Sequence, residues 1–322
     1  MHIAKAIFLD KASLYPEDLD FSLLEVSANW QWFDNVNLAD IQHALQYAEI
    51  LVTNKVVIEK KLFDICKHLK LICVAATGVN NVDLDAAKAH DVKVCNVRSY
   101  ATSSVVPHVF SMILSLNRNL TAYSASVANG NWSHSDFFCC FGPPVHNLVA
   151  QKIGIIGYGE LGKAVAEIAK SFGMEVLIAH GHNAADESYL SEGRVDLDTL
   201  LSESDVVSLH CPLTENNRYM IGRRELGLMK PEAILINTAR GGLIDENALL
   251  HALKNNQIAA AGLDVLEKEP PSLNHPLITY NKPNLIITPH IAWAGQESRQ
   301  KLITEIAKNI QANMQGRPRN LI

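Results

Sequence analysis

A chain of 322 residues, 48% of them hydrophobic, exceeds the usual size of a single core, so two domains are the default. Its formal net charge of -6 offers no attraction to nucleic acid or to an anionic membrane, and no stretch approaches the roughly 20 apolar residues of a membrane span. Six cysteines without a C-x-x-C pair or a metal-ligand spacing to histidine predict reduced thiols in a cytoplasmic protein and no metal site.

The first third alternates apolar runs with amphipathic segments. Residues 3–9 form a short apolar run interrupted by Lys5 and followed by Asp10 and Lys11 instead of a small-residue cleavage site, which predicts a first strand and not a signal peptide. A helix over 40–48, a strand over 50–53, a helix through 62–68 and strands at 71–75 and 92–97 follow. Strands separated by helical pieces imply a parallel sheet with helices on its faces. The run at 71–75 ends in Ala76-Thr77-Gly78-Val79, a small flexible turn at a strand's carboxyl end. Open α/β sheets place ligands there, but an ordinary strand-to-helix connection explains the turn equally well from this half alone.

From Ser99 the texture changes. Thr102-Ser103-Ser104 can cap a helix whose apolar positions Val105, Val106, Val109, Ile113 and Leu116 recur at helical spacing, with Pro107 placed in its first turn. The segment 129–148 is rich in Gly, Pro, Asn and aromatic residues, among them Trp132, Phe137, Phe138 and Phe141. A long irregular stretch with so much apolar surface predicts an arm buried against another subunit. Adjacent Cys139 and Cys140 are read as packing residues in these apolar surroundings and not as a redox pair.

The sequence KIGIIGYGELG then joins an apolar run to Gly157, Gly159 and Gly162, ahead of a helix over 161–173. The first glycine permits a tight turn, the second lets backbone approach a pyrophosphate, and the third lets helix and strand pack closely. Together with N–H groups at the helix start this is a dinucleotide site, built from Gly157, Tyr158, Gly159, Glu160, Leu161 and Gly162. The next strand, 175–179, ends at His180, where NAD-dependent folds carry an acidic residue for the ribose 2′-hydroxyl. NAD is therefore the expected cofactor with NADP permitted, although no arginine stands beside His180 in the sequence and Lys163 with Gly181-His182-Asn183 gives no clamp for a 2′-phosphate.

Four more apolar runs each end in polar or special residues. Residues 206–209 lead into His210, Cys211, Pro212 and Thr214; 233–236 into Thr238, Ala239 and Arg240; 259–263 into Asp264, Glu267 and Glu269; and 285–287 into His290 and Ala292. As parallel strands they would bring all four tails to one sheet edge, beside the glycine turn. A helix over 245–254, capped by Asp245, fits the crossover between the second and third runs. One Arg, one acid and one His beside a nicotinamide suit hydride transfer at a carbon bearing oxygen. An imidazole exchanges the proton, Glu269 fixes its tautomer, and the guanidinium of Arg240 bonds a substrate carboxylate and carbonyl together.

The set GIIGYGELG, HCPLT, LINTARGGLIDENAL, GLDVLEKEP and TPHIAW, in this order, resembles the D-2-hydroxyacid dehydrogenase family across nearly the whole chain. ATGVNNVDL and YATSSVVPHVF are similar to its glycerate dehydrogenase (hydroxypyruvate reductase) branch. The resemblance implies two Rossmann-like, doubly wound parallel-sheet α/β domains: a cofactor domain over 101–290, inserted in a discontinuous flavodoxin-like substrate domain over 1–100 and 291–322. It also implies a homodimer, and a helix over 296–314 returning to the N-terminal half. The family's catalytic residues fall on Arg240, Glu269 (with Glu267 the decoy) and His290. Its cofactor cleft falls on His210, Cys211, Pro212, Thr214, Thr238, Ala239, Asp264 and Ala292, and its substrate carboxylate on the N–H groups of Thr77, Gly78 and Val79. Asn54 and Lys55 stand at the neighbouring strand end, within reach of a glycerate-like C3 hydroxyl. The expected substrate is a small 2-keto acid such as hydroxypyruvate or glyoxylate. His180 departs from the family pattern, as does Pro107 beside His108. Formate dehydrogenase, which resembles the family, has Gln at the position of Glu269; a phosphoglycerate dehydrogenase without a regulatory domain and a dinucleotide-sensing corepressor are the alternatives that the motifs leave open.

Overall fold

The computed structural model describes residues 3–180 and 193–322. They form two compact units: residues up to Ala101 with Trp293–Ile322, and Thr102–Ala292. The second break falls after Ala292 and not after 290, because the N–H groups of Ile291 and Ala292 bond the Asp264 carboxylate of the second unit.

In the first unit β1 (Lys5–Phe8), α1 (Ser22–Glu25), β2 (Asn29–Trp32), α2 (Gln42–Leu45), β3 (Ile50–Thr53), α3 (Lys60–Ile65), β4 (Leu71–Val74), α4 (Leu84–Ala89) and β5 (Lys93–Cys95) follow one another. The strands are all parallel in the order β2-β1-β3-β4-β5. Alternate residues feed separate cores on the two faces: Phe8, Val52 and Cys73 on one, Leu9, Leu51 and Ile72 on the other. Burial on both faces explains why these strands read as continuous apolar runs.

Several elements depart from expectation. β2 was not anticipated: its Asn-Trp-Gln-Trp sequence is a half-buried edge strand in which Trp30 and Trp32 stack at 4.7 Å. α2 and α3 are shorter than the helices expected over 40–48 and 62–68, α2 being a single turn that buries Leu45. α4, capped by the Asp83 side chain, adds a further helix.

The second unit begins with α5 (Thr102–Asn117) and α6 (Leu120–Ala128). α5 starts at Thr102, so the Thr-Ser-Ser segment lies inside the helix instead of capping it and Pro107 falls in the second turn, not the first. The Ser111 hydroxyl donates to the Pro107 carbonyl at 2.8 Å. No residue of α6 is buried, and Phe137, Phe138 and Phe141 in the irregular stretch beyond it are 76%, 92% and 91% exposed, so this chain does not cover its own aromatic surface. Cys139 and Cys140 are half-buried free thiols among these phenylalanines.

Then come β6 (Lys152–Ile156), α7 (Glu160–Ser171), β7 (Glu175–Ile178), α8 (Leu197–Glu203), β8 (Val206–Leu209), α9 (Arg223–Leu228), β9 (Ile234–Asn237), α10 (Glu246–Lys254), β10 (Ala260–Leu263), α11 (Pro276–Tyr280) and β11 (Leu285–Ile287). The sheet is parallel in the order β11-β10-β9-β8-β6-β7. The Asp245 carboxylate caps α10 by accepting from the N–H groups of Asn247 and Ala248. The last helix, α12 (Gln296–Met314), packs on β4 and α1 of the first unit, where Leu302, Ile303, Ile306 and Ile310 enter the core. Among the described residues no helix is long and apolar enough to cross a membrane.

Candidate active site

Register puts the polar strand ends on one line. Ile156, Leu209, Asn237, Leu263 and Ile287 are successive partners across β6, β8, β9, β10 and β11. The next residue on each strand, Gly157, His210, Thr238, Asp264 or Thr288, therefore opens a loop at the same sheet edge. Strand order reverses between β7 and β8 around β6, the switch point where open sheets leave a crevice.

The three glycines of the turn do three different things. Gly157 has φ +98°, and a Cβ there would lie 2.4 Å from the Cys211 nitrogen. At Gly162 a Cβ would lie 2.0 Å from the Gly157 carbonyl oxygen, so helix and turn touch backbone to backbone. Gly159 caps α7, and a Cβ there would meet no atom within 4 Å. The open space thus lies at the start of a 12-residue helix, whose first-turn N–H groups and dipole favour an anion. The Glu160 side chain accepts the Thr102 hydroxyl at the start of α5.

Along the edge, the loop after β8 is folded by Asn217, which accepts the Thr214 N–H at 2.7 Å and donates to the Pro212 carbonyl at 2.7 Å. Desolvation pulls the pKa of His210 down to about 4, so it is neutral near pH 7 and bonds Ser208 at 2.8 Å. Burial pushes up the Cys211 thiol. After β9, buried Asn237 donates to the Arg240 carbonyl and accepts the Ala239 N–H, bending the chain so that the Arg240 guanidinium bonds the Ala239 carbonyl at 2.7 Å. The Thr238 hydroxyl is buried without a hydrogen-bond partner among the described residues, a group that a ligand would satisfy.

Glu269 and His290 meet: Oε2 of the acid lies 2.6 Å from Nδ1 of the ring. A carboxylate only accepts, so Nδ1 carries the proton and exchange falls to Nε2. The other oxygen of Glu269 accepts the Leu266 N–H at 2.9 Å, fixing the carboxylate. Glu267 is held by Arg218 and Tyr219 instead. His290 itself has φ +55°, a left-handed backbone uncommon for a residue with a side chain. It is held there by bonds from its N–H to the carbonyls of Asp264 (2.8 Å) and Thr288 (3.0 Å).

Asp264, 1% exposed, organises this loop. Its carboxylate accepts from the Thr288 hydroxyl (2.6 Å) and from the N–H groups of Ile291 (2.9 Å) and Ala292 (2.8 Å). The Thr288 hydroxyl has spent its proton, so His108 Nε2, 3.0 Å away, must be the donor to it. His108, Thr288, Asn217 and Asn237 were not singled out from the sequence, where single Thr, Asn and His residues carry no distinguishing pattern.

In the first unit Asn54 is buried, its side-chain amide donating to the Ser13 hydroxyl at 3.0 Å, while Lys55 is exposed. Asp10 accepts the N–H groups of Asn54, Lys55 and Val56. The Thr77 hydroxyl donates to the Val97 carbonyl, and Asn96 donates to the Thr77 carbonyl at 2.6 Å, which fixes the turn. The N–H groups of Thr77, Gly78 and Val79 have no backbone acceptor among the described residues.

Correction of one further expectation concerns the end of β7. Ala179 bridges to Val195, the His180 N–H bonds the Val195 carbonyl at 2.9 Å, and Arg194 thereby lines one cavity of about 110 Å³ with His180 and Tyr158. An arginine does stand beside His180, delivered from 14 residues downstream. Residues 181–183 lie outside the described residues.

A doubly wound sheet with a glycine turn at its switch point, an open helix start, an unsatisfied threonine hydroxyl and a carboxylate-oriented histidine on the same edge defines a dinucleotide-dependent oxidoreductase, and NAD(P) fits these residues. Comparison with known proteins gives the particular kind. Residues 110–292 match the family model "D-isomer specific 2-hydroxyacid dehydrogenase, NAD binding domain". The chain is 42% identical to a glycerate dehydrogenase of Methylorubrum extorquens over 322 residues, covering 99% of this chain and 98% of that one. It is 34% identical to a hydroxypyruvate reductase of Blautia hydrogenotrophica, covering 99% of both. An acyclic imino acid reductase solved with NADPH and D-arginine superposes with a TM-score of 0.84 at 30% identity, covering 99% of both chains. The protein belongs to the D-2-hydroxyacid dehydrogenase family, in its glycerate dehydrogenase branch, and is an NAD(P)-dependent oxidoreductase of 2-hydroxy acids.

Proposed function

We propose that the protein reduces hydroxypyruvate, and glyoxylate less well, to the D-2-hydroxy acid, with Arg240, Glu269 and His290 as the catalytic residues. The observation that carries this reading is the 2.6 Å bond between Glu269 Oε2 and His290 Nδ1 at the sheet edge that also presents Arg240 and the glycine turn. The names of the glycerate and hydroxypyruvate relatives support the substrate class. The reduced nicotinamide, when bound, supplies the hydride. His290 gives the proton from Nε2 to the carbonyl oxygen as it becomes a hydroxyl, and Glu269 stabilises the charged ring before that transfer. Arg240 polarises the same oxygen and grips the carboxylate through its fixed fork of donors. The N–H groups of Thr77, Gly78 and Val79 hold the carboxylate, and Lys55 serves the C3 hydroxyl. Asn54, whose side chain is engaged with Ser13, supports that loop from within.

In this reading Thr102–Ala292 is the cofactor domain and the remainder the substrate domain. The glycine-turn residues Gly157, Tyr158, Gly159, Glu160, Leu161 and Gly162 take the pyrophosphate, Thr238 and Asp264 face the nicotinamide side, and His210 to Thr214 line the cleft. The protein works as a cytoplasmic homodimer, its partner covering the exposed phenylalanines beyond α6. Steady-state reduction of hydroxypyruvate, glyoxylate, pyruvate and 2-ketoisocaproate tests the proposal. A lead for hydroxypyruvate of about tenfold in kcat/KM, or about 1.4 kcal/mol, supports it, whereas equal or slower turnover than pyruvate excludes the glycerate assignment.

A further inference from the structure

The end of β7 decides which dinucleotide a Rossmann domain accepts, because the adenosine ribose lies against it. A carboxylate there holds the 2′-hydroxyl and repels a 2′-phosphate; a cation reverses the preference. This chain has His180 at that point, and the bridge between Ala179 and Val195 brings a second stretch of chain alongside. The guanidinium carbon of Arg194 lies 5.7 Å from the centroid of the Tyr158 ring, and Lys163 Nζ lies 5.8 Å from the same centroid. Tyr158 belongs to the glycine turn, so two cations are gathered on the side chain that follows its first glycine. Lys163 is exposed and Arg194 half-buried, and both are carried on backbone fixed by regular bonds: Lys163 donates its N–H to the Gly159 carbonyl, and Val195 donates to the Ile178 carbonyl.

A cation–π contact alone would explain why an arginine rests near a tyrosine. It does not explain why Arg194 stands at the strand end that lacks the acid, lining a cavity with Tyr158 and His180, while Lys163 reaches the same Tyr158 ring from the first turn of α7. A phosphate dianion matches that arrangement, since a guanidinium offers it two parallel donors and an ammonium adds a point charge.

We propose that Arg194, assisted by Lys163, recognises the 2′-phosphate of NADPH at the end of β7, so that the protein prefers NADPH to NADH. This rests on the dinucleotide site described above. Arg194 is a specificity residue in this scheme and takes no part in the chemical step.

Equilibrium titration of the intact protein with adenosine 2′,5′-bisphosphate and with 5′-AMP, which differ only in the 2′-phosphate, tests it without turnover. The expected result is about tenfold or tighter binding of the bisphosphate, weakening as salt rises. Arg194→Ala should bring the ratio of the two dissociation constants close to one, Arg194→Lys should leave it intermediate, and Lys163→Ala should lower it less. The ratio of the NADH to the NADPH dissociation constants should fall at least tenfold in Arg194→Ala, and an unchanged melting temperature shows that the variant is folded. Equal binding of the two probes by the wild type, or a ratio that survives Arg194→Ala, overturns the proposal while leaving the dinucleotide site intact. Failure of the wild type to bind either probe or either dinucleotide overturns the site reading itself.

Discussion

The two parallel sheets share an architecture but treat their switch points in opposite ways. In the first unit the order reverses between β1 and β3, and the crevice there is filled by the chain's own Asp10, 5% exposed, whose carboxylate takes three successive N–H groups, those of Asn54, Lys55 and Val56. In the second unit the equivalent crevice after β6 is left open at Gly159. The carboxyl edge of a parallel sheet collects unpaired N–H groups and favours an anion in either case. Sequence decides whether that anion is internal, and serves stability, or external, and serves binding.

The contrast predicts that changes at the open edge cost activity and changes at the filled one cost stability. The largest effect is expected for His290→Ala, which should lower kcat by more than about 10³ with an unchanged melting temperature, and Arg240→Ala by about 10² to 10³. Near-normal turnover of the His290 variant would remove the assignment. Asp10→Ala removes the acceptor of one buried and two part-buried N–H groups and should lower unfolding free energy by about 2 kcal/mol in urea titrations, with dinucleotide affinity unmoved. A loss of dinucleotide affinity there would erase the distinction between the crevices.

A smaller effect should appear in the pH dependence of stability. The pKa of His210 is depressed to about 4, against 6.5 for the free side chain, so the unfolded state binds the proton first as pH falls. Its contribution is intact above pH 6.5 and is lost progressively as pH drops toward 4. His210→Gln should flatten that part of the unfolding curve. The smallest shift is expected for Gly159→Ala: a methyl entering open space should leave the melting temperature within about 2 °C and weaken dinucleotide binding by about tenfold. The same change at Gly162, 2.0 Å from a carbonyl oxygen, should damage the fold as well.

The inner strands of the second unit, β6, β8, β9 and β10, were legible because each is buried on both faces and stops in glycine or polar residues, a pattern that shows in one dimension. Register then placed those stops on a single row, which spacing alone does not reveal. What escaped the sequence were features set by distant pairing. Arg194 reaches His180 only through the bridge between Ala179 and Val195. Asp10 looked like the end of a strand and proved to be an internal anion, a role that depends on β1 lying beside β3. The edge strand β2 alternates half-buried and exposed residues and lacks the apolar run that marked the others. Pro107 misled because its position in a helix depends on where the helix starts, a boundary that capping residues signal ambiguously.

The Asp264 carboxylate also has a mechanical consequence. It clasps Thr288, Ile291 and Ala292, and Ala292 is the last residue of its unit before the chain leaves at Trp293. The left-handed peptide that aims His290 is thereby held from both sides, at Thr288 before it and at Ile291 and Ala292 after it, by one buried anion. The clasp works like a bracket closed on both ends of one link: the position of the ring is set by a single carboxylate that never touches it.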